Sequence, residues 1–241
     1  MPDPLIRAST PGDQPALDVL ERRHFPAQPG KPHSGYLFGD SDLARLSLDD
    51  GLAAPHRSLV SVAEINGAIE GFALAFPFSL PGNGALDPNN MLLQYLAVNE
   101  DHRRLGIGRR LLEHLEARIA PHRQNVMVAH VPAAEAEFYR RARWEVMAPT
   151  AGFAWLAFND FLRADYPDPH IGYEHLAAKL LRPRALRRWY GFPRVTNAPV
   201  ADATIILEAL IERGDLNVAD LDEGTAQMLA IGRINRSFRR G

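Results

Sequence analysis

Two glycines, Gly106 and Gly108, lie one residue apart between a run that predicts a strand and a run that predicts a helix. Arginines flank the pair on both sides, at Arg103, Arg104, Arg109 and Arg110. The amino end of a helix exposes unpaired N–H groups and the positive end of the helix dipole, and glycine lets an anion approach them closely. The stretch therefore predicts a phosphate-binding turn. The same glycines would also suit a tight strand-to-helix turn without a ligand.

Two common phosphate motifs do not match this stretch. A P-loop requires Gly-Lys followed by Ser or Thr, and that combination occurs nowhere in the chain. The dinucleotide fingerprint requires a third small residue at the position of Leu111. The glycine pair therefore indicates neither nucleotide hydrolysis nor dinucleotide binding.

Alternating secondary-structure signals surround the glycine turn. The strongest is Asn66-Gly67 between two β-rich runs, which predicts a hairpin. We expect loops over Pro26–Asp40 and Ser79–Asn90, with a short helix capped by Ser41 between them. The other predicted elements follow in chain order: a strand at Leu5–Ala8, a helix opened by Ser9-Thr10-Pro11, hairpin strands at Ser58–Ile65 and Ala68–Phe76, a strand at Met91–Val98, a helix carrying Leu111, Leu112, Leu115 and Ile119, a strand at Asn125–Val131, a helix at Ala133–Arg143, and a closing hairpin at Trp144–Phe158.

Composition restricts the function classes. The chain has 241 residues, 46% of them hydrophobic and 23% charged, with a net charge of -2. It has no cysteine, which excludes disulfides, thiolate metal sites and a cysteine nucleophile, and we predict no metal site. No apolar run approaches the roughly 20 residues that span a bilayer, and the first residues lack signal-peptide features. We therefore expect a cytoplasmic protein without a membrane partner.

The glycine turn and a later segment together resemble a known family. Arg103 to Gly108, "RRLGIG", fits the pattern [Q/R]-x-x-G-x-[G/A], and "AEFYRRARW" follows at 136–144. With the order of elements, these segments resemble the GNAT superfamily of N-acetyltransferases over Leu5–Phe158. The resemblance implies an α/β (α+β) fold, in which helices flank a mixed, splayed central sheet.

The same resemblance implies acetyl-CoA as cofactor. Backbone groups at the end of the strand before the turn would pair with pantetheine, and amides from Arg104 to Arg109 would hold the pyrophosphate. The expected donor-binding residues are Leu96, Ala97, Val98, Arg103, Arg104, Leu105, Gly106, Ile107, Gly108 and Arg109. Successive helical residues point about 100° apart, so we expect only one or two arginine side chains to contact the pyrophosphate. The others would form a solvated basic rim.

The family's catalytic acid corresponds to Tyr139. The resemblance implies that this tyrosine, from a Y-x-x-x-G-[FW] pattern, faces the CoA sulfur and protonates the leaving thiolate. Simple aromatic packing of Phe138 and Tyr139 is the alternative. Arg143 stands where the family has the glycine that ends this helix, so we expect strain or a rearranged turn there.

The general base is less defined. The family's glutamate on the fifth strand is missing between Asn125 and Val131. His130, near the end of that strand, is our candidate, because histidine exchanges protons near neutral pH. A base acting through a water that Gln94 or Glu100 orients, or an amine that arrives neutral, remains an alternative. His102 and His114 are weaker candidates, since we expect both to be solvated.

Residues 159–241 lie beyond the family core of residues 1–158, and we predict that they form an α-helical C-terminal extension. Segments such as "YEHLAAKLL", "RALRRWYG" and "DATIILEALIERG" carry helical patterns. Interleaved arginines and aromatic residues there indicate helix packing rather than a nucleic-acid surface, given the acidic chain. We expect the extension to help form the acceptor site or a homodimer contact.

These inferences combine into one predicted function. The protein would be an N-acetyltransferase that moves an acetyl group from acetyl-CoA to a primary amine by direct attack. We favour a small-molecule amine over a protein amine. The alternative is a catalytically silent acyl-CoA-binding sensor. It is suggested by departures from the family pattern at Arg143, on the fifth strand and at Pro132, near which many members carry an asparagine.

Overall fold

The structure is a computed structural model that describes residues 3–27, 36–39, 58–79, 86–120, 126–149, 151–156, 162–165, 167, 172–181, 190–193, 211, 217–220 and 230. The chain divides into two compact units. The first contains Met1–Ala129 and Lys179–Arg182, and the second contains His130–Ala178 and Pro183–Gly241. The predicted division after residue 158 remains a prediction.

The helices and strands occur in a mixed order along the chain. They are β1 (Leu5–Ala8), α1 (Gln14–His24), β2 (Leu59–Ile65), β3 (Ala68–Ser79), β4 (Leu86–Val98), α2 (Ile107–Ile119), β5 (Val126–Val131), α3 (Ala136–Arg141), β6 (Glu145–Val146), β7 (Ala151–Leu156), β8 (Leu162–Asp165), β9 (His175–Leu180) and β10 (Tyr190–Pro193). Short 3-10 turns cover Pro11–Asp13, Glu100–His102, Ala133–Glu135 and Val218–Asp220.

In the first unit the strands lie in the order β1-β2-β3-β4-β5. The first four are antiparallel, and β4 runs parallel to β5. The predicted hairpin is confirmed: Asn66 and Gly67 have φ values of 52° and 80° between β2 and β3. Two positive φ values are what a two-residue type I′ turn requires, and this explains the Asn-Gly pair.

Both faces of this sheet are covered, which explains why β2 is buried almost throughout. Val60 and Val62 share a buried cluster with Leu17 and Leu20 of α1. The intervening Ser61 faces the other way and contacts His114 of α2, because successive strand residues point to opposite faces. The predicted apolar stripe of α2 is confirmed, since Leu111, Leu112, Leu115 and Ile119 are all buried. The central sheet flanked by helices is therefore confirmed.

The strand β4 begins earlier than predicted. Leu86 pairs with Ser79, so residues 86–90 belong to the strand and not to the predicted Ser79–Asn90 loop. Pro88 and the asparagines after it favoured a loop, but pairing with the long β3 overrides this preference. Pro88 lies outside the ladder with β5, which begins at Asn90. A proline outside a central ladder costs no inter-strand hydrogen bond there.

Two predictions about the elements that follow α3 were wrong, one about strand pairing and one about a helix. The proposed closing hairpin at Trp144–Phe158 does not form, because β6 pairs with β9 and β7 pairs with β8 and β10. The segment "YEHLAAKLL" was predicted as helix but contains the strand β9. Its central residues Leu176, Ala177 and Ala178 are all buried, so the strand lacks the alternation that marks a half-exposed strand. Strand patterns therefore continue beyond Phe158.

The remaining predictions of helices have mixed outcomes. The predicted helix at Ala133–Arg143 is a 3-10 turn followed by α3, which ends at Arg141. The predicted helix capped by Ser41 lies outside the described residues, and so do most of the segments predicted as helix in the C-terminal extension. Among the described residues of those segments, Ile211 and Ala230 are helical. No helix among the described residues is long and apolar enough to cross a membrane.

Candidate functional site

The last residues of β4 have a ladder partner on one side only. Residues Asn90 to Leu93 pair with β5, whereas Leu96, Ala97 and Val98 pair with β3 alone in the described part of the first unit. The change occurs at a β-bulge, because Leu93 and Tyr95 oppose consecutive β3 residues and leave Gln94 unpaired in the ladder. The bulge leaves backbone groups of this segment available to an extended ligand.

Gly71 lets β3 approach this segment closely. A Cβ atom at Gly71 would lie 2.8 Å from the carbonyl oxygen of Ala97 and 3.3 Å from Cα of Val98. Real Cβ atoms do not approach a carbonyl oxygen so closely, so only glycine fits at this position. The glycine at position 71 therefore helps to set the position of Ala97 and Val98 at the end of β4.

The glycine turn joins β4 to α2 through two left-handed residues. Arg104 has φ of 64° and Gly106 has φ of 80°. A left-handed conformation costs a non-glycine residue roughly 1–2 kcal/mol, so Arg104 is strained, as residues at functional sites often are. Gly106 is the N-cap of α2 and, having no side chain, leaves the first amides of the helix uncapped.

The residues present fit a phosphate group. A Cβ at Gly106 would meet no atom within 4 Å, so the backbone there borders open space. The uncapped amides and the positive end of the α2 dipole adjoin that space and favour an anion. The turn therefore suits the pyrophosphate of the acetyl-CoA that the sequence resemblance implies.

The structure separates the four arginines around the turn. Arg109 pairs with Glu113 at 2.7 Å, and Arg110 pairs with Asp3 at 2.5 Å. Arg103 donates from Nε to the carbonyl oxygen of Val98 at 3.1 Å. Arg104 has no hydrogen bond or ion pair among the described residues. Three of the arginines are therefore already engaged, which leaves Arg104 as the side chain best able to meet an added anion.

Tyr139 lies in the second unit and is 4% exposed. Its ring packs edge-on against Phe138 and Trp144, with centroids 5.2 and 5.4 Å away. Burial raises the pKa of its phenol well above the ordinary value, and the negative charge of Glu135 adds to this effect. Tyr139 therefore keeps its proton at any physiological pH. The ring contacts are those of aromatic packing, and the acid role of Tyr139 remains a prediction.

The helix that carries Tyr139 ends in the strained turn expected from Arg143. Arg143 has φ of 63°. Its N–H donates to the carbonyl of Arg140 at 2.9 Å, and the N–H of Trp144 donates to the carbonyl of Tyr139 at 3.0 Å. These two bonds define a Schellman motif, with arginine in the left-handed position that glycine normally occupies.

His130 lies near the carboxyl end of β5 and is half-buried. Its ring meets the ring of Tyr173 edge-on, with centroids 6.2 Å apart. Tyr173 was not singled out from the sequence, because it precedes β9 in a segment predicted as helix. Burial raises the pKa of Tyr173, with a smaller contribution from the charge of Glu135. The second unit thus assembles His130 and Tyr173 beside each other.

His114 and His102, which we expected to be solvated, are less exposed than predicted. His114 is half-buried, and its Nδ1 lies 2.9 Å from the Oγ of the fully buried Ser61. Burial lowers the pKa of His114, and the neighbouring Arg118 lowers it further. His102 is also only partly exposed, with Nε2 3.8 Å from the Glu70 carboxylate. The prediction that both side chains are solvated was therefore wrong.

The predicted site residues fall into two groups. Leu96–Val98 and Arg103–Arg109 lie together in the first unit, at the end of β4 and the start of α2. Tyr139 and His130 lie in the second unit. The bulge at Gln94 and the close approach at Gly71 were missed, since both depend on inter-strand pairing that the local sequence does not record.

A family model matches part of the chain. Residues 56–144 match a family model described as an acetyltransferase (GNAT) domain. The sequence matches none of the curated proteins.

Solved structures with similar folds include three bacterial proteins. The protein yncA of Salmonella typhimurium, solved with its cofactor acetyl-CoA, has a TM-score of 0.51 and 19% identity, over 75% of this chain and 95% of its own. A GNAT-family acetyltransferase of Streptococcus pneumoniae has a TM-score of 0.51 and 16% identity, over 74% and 99%. An N-acetyltransferase of Staphylococcus aureus Mu50 has a TM-score of 0.50 and 16% identity, over 75% and 100%. At these identities the likeness concerns the fold.

Proposed function

We propose that the protein transfers the acetyl group of acetyl-CoA to a primary amine, because residues 56–144 match the model of a GNAT acetyltransferase domain. The favoured acceptor is a small-molecule amine, with a protein amine as the alternative. A cytoplasmic location and a homodimer, both expected from the sequence, remain predictions.

One observation carries the proposal: a left-handed glycine and an uncapped helix amino end follow β4 after one 3-10 turn. In the described part of the first unit, the final residues of β4 pair with β3 alone. This arrangement offers backbone groups to an extended chain and amides to a diphosphate within one short stretch. Leu96, Ala97 and Val98 would hold the pantetheine part through their backbone. The amides from Arg104 to Arg109 would hold the pyrophosphate, with the Arg104 side chain adding charge.

Acetyl-CoA supplies an acetyl group activated as a thioester, which a neutral amine attacks directly. Tyr139 is proposed as the residue that donates a proton to the departing sulfur. A thiol titrates near pH 8.5 and a phenol near pH 10, so this proton transfer is uphill by about 2 kcal/mol before any effect of burial. Burial raises the pKa of Tyr139 further, which favours a hydrogen bond that stabilises the thiolate over complete transfer of the proton.

His130 is proposed as the base that accepts the proton of the amine. Its half-buried position beside Tyr173 supports a defined ring orientation. Transfer of the amine proton to water, or binding of an amine that is already neutral, would make the imidazole dispensable. The effect of His130→Gln on the pH profile of kcat/KM distinguishes these cases, since only a base at this position contributes its own titration.

The proposal is tested by screening primary amines with acetyl-CoA while the free CoA thiol is followed. We expect at least one amine class to give turnover. Tyr139→Phe keeps the aromatic packing and should lower kcat about 100-fold, with little change in the dissociation constant of acetyl-CoA. An unchanged kcat would refute the acid role. Acetyl-CoA binding without turnover of any amine would favour the silent sensor over the enzyme.

A further inference from the structure

The residue that directly follows β4, Asn99, has the most extensive side-chain contacts of any residue in the glycine turn. Its Nδ2 donates to Oε2 of Glu70. Its Oδ1 accepts from Nη1 of Arg23 at 2.9 Å and lies 3.3 Å from Nε2 of His24. We call Arg23, His24, Glu70 and Asn99 the Asn99 cluster. One amide thereby joins the end of α1, the strand β3 and the start of the turn.

The contacts require an amide at position 99. The oxygen faces the guanidinium of Arg23, and the nitrogen faces the carboxylate of Glu70, so each half of the amide meets a partner of opposite polarity. A carboxylate there would repel Glu70, and an apolar side chain would leave both partners without this bond. Burial lowers the pKa of His24, which keeps the imidazole neutral near pH 7 and able to donate one hydrogen bond.

The backbone of Asn99 is fixed as well. Its N–H donates to the carbonyl of Glu70 at 2.8 Å, and its own carbonyl accepts from the N–H of His102 at 2.9 Å. The residues that follow are conformationally demanding, because Arg104 and Gly106 both adopt left-handed conformations. A non-glycine residue such as Arg104 keeps a left-handed conformation only where the surrounding structure holds it. The helix α2 holds the far end, and Asn99 holds the near end.

We propose that Asn99 is a positioning residue for the donor site: through the Asn99 cluster it fixes the start of the turn, so that the amides from Arg104 to Arg109 point at the phosphates. This inference rests on the proposed function, because it concerns the same acetyl-CoA site. Asn99 would act through the turn, because its amide is already engaged by Arg23 and Glu70. Its contribution is therefore expected in the affinity for acetyl-CoA and not in the chemical step.

The test compares the wild-type protein with Asn99→Ala, Asn99→Asp, Glu70→Gln and the double variant Glu70→Gln/Asn99→Asp. Loss of a hydrogen bond to a charged partner should raise the dissociation constant of acetyl-CoA about tenfold in Asn99→Ala and Asn99→Asp. Glu70→Gln should also weaken binding, because Glu70 additionally faces His102. In the double variant the introduced amide can donate to the introduced carboxylate, so affinity should return to within about threefold of wild type.

Neighbouring arginines on α1 provide a matched control. Arg23→Gln removes a partner of Asn99, whereas Arg22→Gln removes a side chain that pairs with Asp18 and lies over the ring of Tyr36. We expect weaker acetyl-CoA binding in the Arg23 variant only. With an amine found in the screen, kcat at saturating acetyl-CoA should stay within about twofold of wild type in all the single variants.

The outcomes are distinguishable. If wild type binds acetyl-CoA and the Asn99 variants bind it equally well, the positioning role is wrong while the proposed function stands. A purely structural role would lower the melting temperature without changing the affinity of the folded protein, and this too overturns the inference. If Asn99→Ala does not fold, two other comparisons decide whether Asn99 positions the turn. One is whether the double variant restores the affinity for acetyl-CoA, and the other is whether Arg23→Gln binds acetyl-CoA more weakly than Arg22→Gln. If wild type itself does not bind acetyl-CoA, the proposed function fails and this inference fails with it.

Discussion

Substitution of Gly71 by alanine probes the geometry of the donor site through a single added methyl group. The new Cβ would lie 2.8 Å from the carbonyl oxygen of Ala97, about 0.6 Å closer than the ordinary contact limit of 3.4 Å. The strands β3 and β4 must separate by roughly that amount. Such overpacking costs about 1–3 kcal/mol of stability. Because the shift displaces the backbone of Ala97 and Val98, we also expect weaker acetyl-CoA binding. Loss of one backbone hydrogen bond corresponds to about a fivefold to tenfold higher dissociation constant.

A second glycine separates stability from site geometry. Gly67 has φ of 80° in the β2–β3 turn, and a Cβ there would meet nothing within 4 Å. Gly67→Ala should therefore cost about 1 kcal/mol from backbone strain alone, without affecting the site. Thermal unfolding and calorimetric titration with acetyl-CoA are measured for both variants. The reasoning is refuted if Gly71→Ala matches wild type in melting temperature and affinity, or if Gly67→Ala loses as much affinity as Gly71→Ala.

Three further predictions concern charge, strain and pH. Arg104→Gln should raise the dissociation constant of acetyl-CoA about fivefold or more. Arg109→Gln removes an arginine that is already paired on the helix, so it should change this constant less than twofold. Equal effects of the two substitutions would contradict the assignment of Arg104 as the side chain that meets the phosphates. Arg143→Gly should relieve the left-handed strain and stabilise the protein by about 1 kcal/mol. This corresponds to a rise of roughly 2–4 °C in melting temperature. A lower melting temperature would contradict the strain argument. Burial lowers the pKa of His24 and His114, so the unfolded chain takes up protons near pH 6.5 before the folded protein does. The free energy of unfolding should therefore fall on acidification from about pH 7 to pH 5, and His114→Gln should reduce that slope; an unchanged slope would exclude His114 as its source.

The features predicted from the sequence are those with a local cause. The Asn66-Gly67 turn needs two left-handed residues, and the amino end of α2 needs the glycine at 106, so each leaves a mark within a few residues. The departure at Arg143 was likewise predictable, because the end of a helix has a defined preference at one position. The apolar stripe of α2 repeats with the helical period and identified its buried face.

The features that the sequence did not predict depend on distant partners. The strand β9 is buried on both faces, so its run of leucine and alanine lacks the alternation of a half-exposed strand. The bulge at Gln94 exists only relative to β3. The Asn99 cluster draws residues from α1, β3 and the turn, separated by up to 76 positions. No local pattern marks such residues before the fold brings them together.

Calorimetric titration with acetyl-CoA tests the central claim most directly. The claim is that the turn between β4 and α2 binds the phosphates of this cofactor. We predict saturable binding at one site per chain for the wild-type protein, and at least a tenfold weaker affinity for Gly108→Glu, whose carboxylate would repel a phosphate at the helix amino end. Absence of binding to the folded wild-type protein, or equal affinity of the two proteins, would contradict the account.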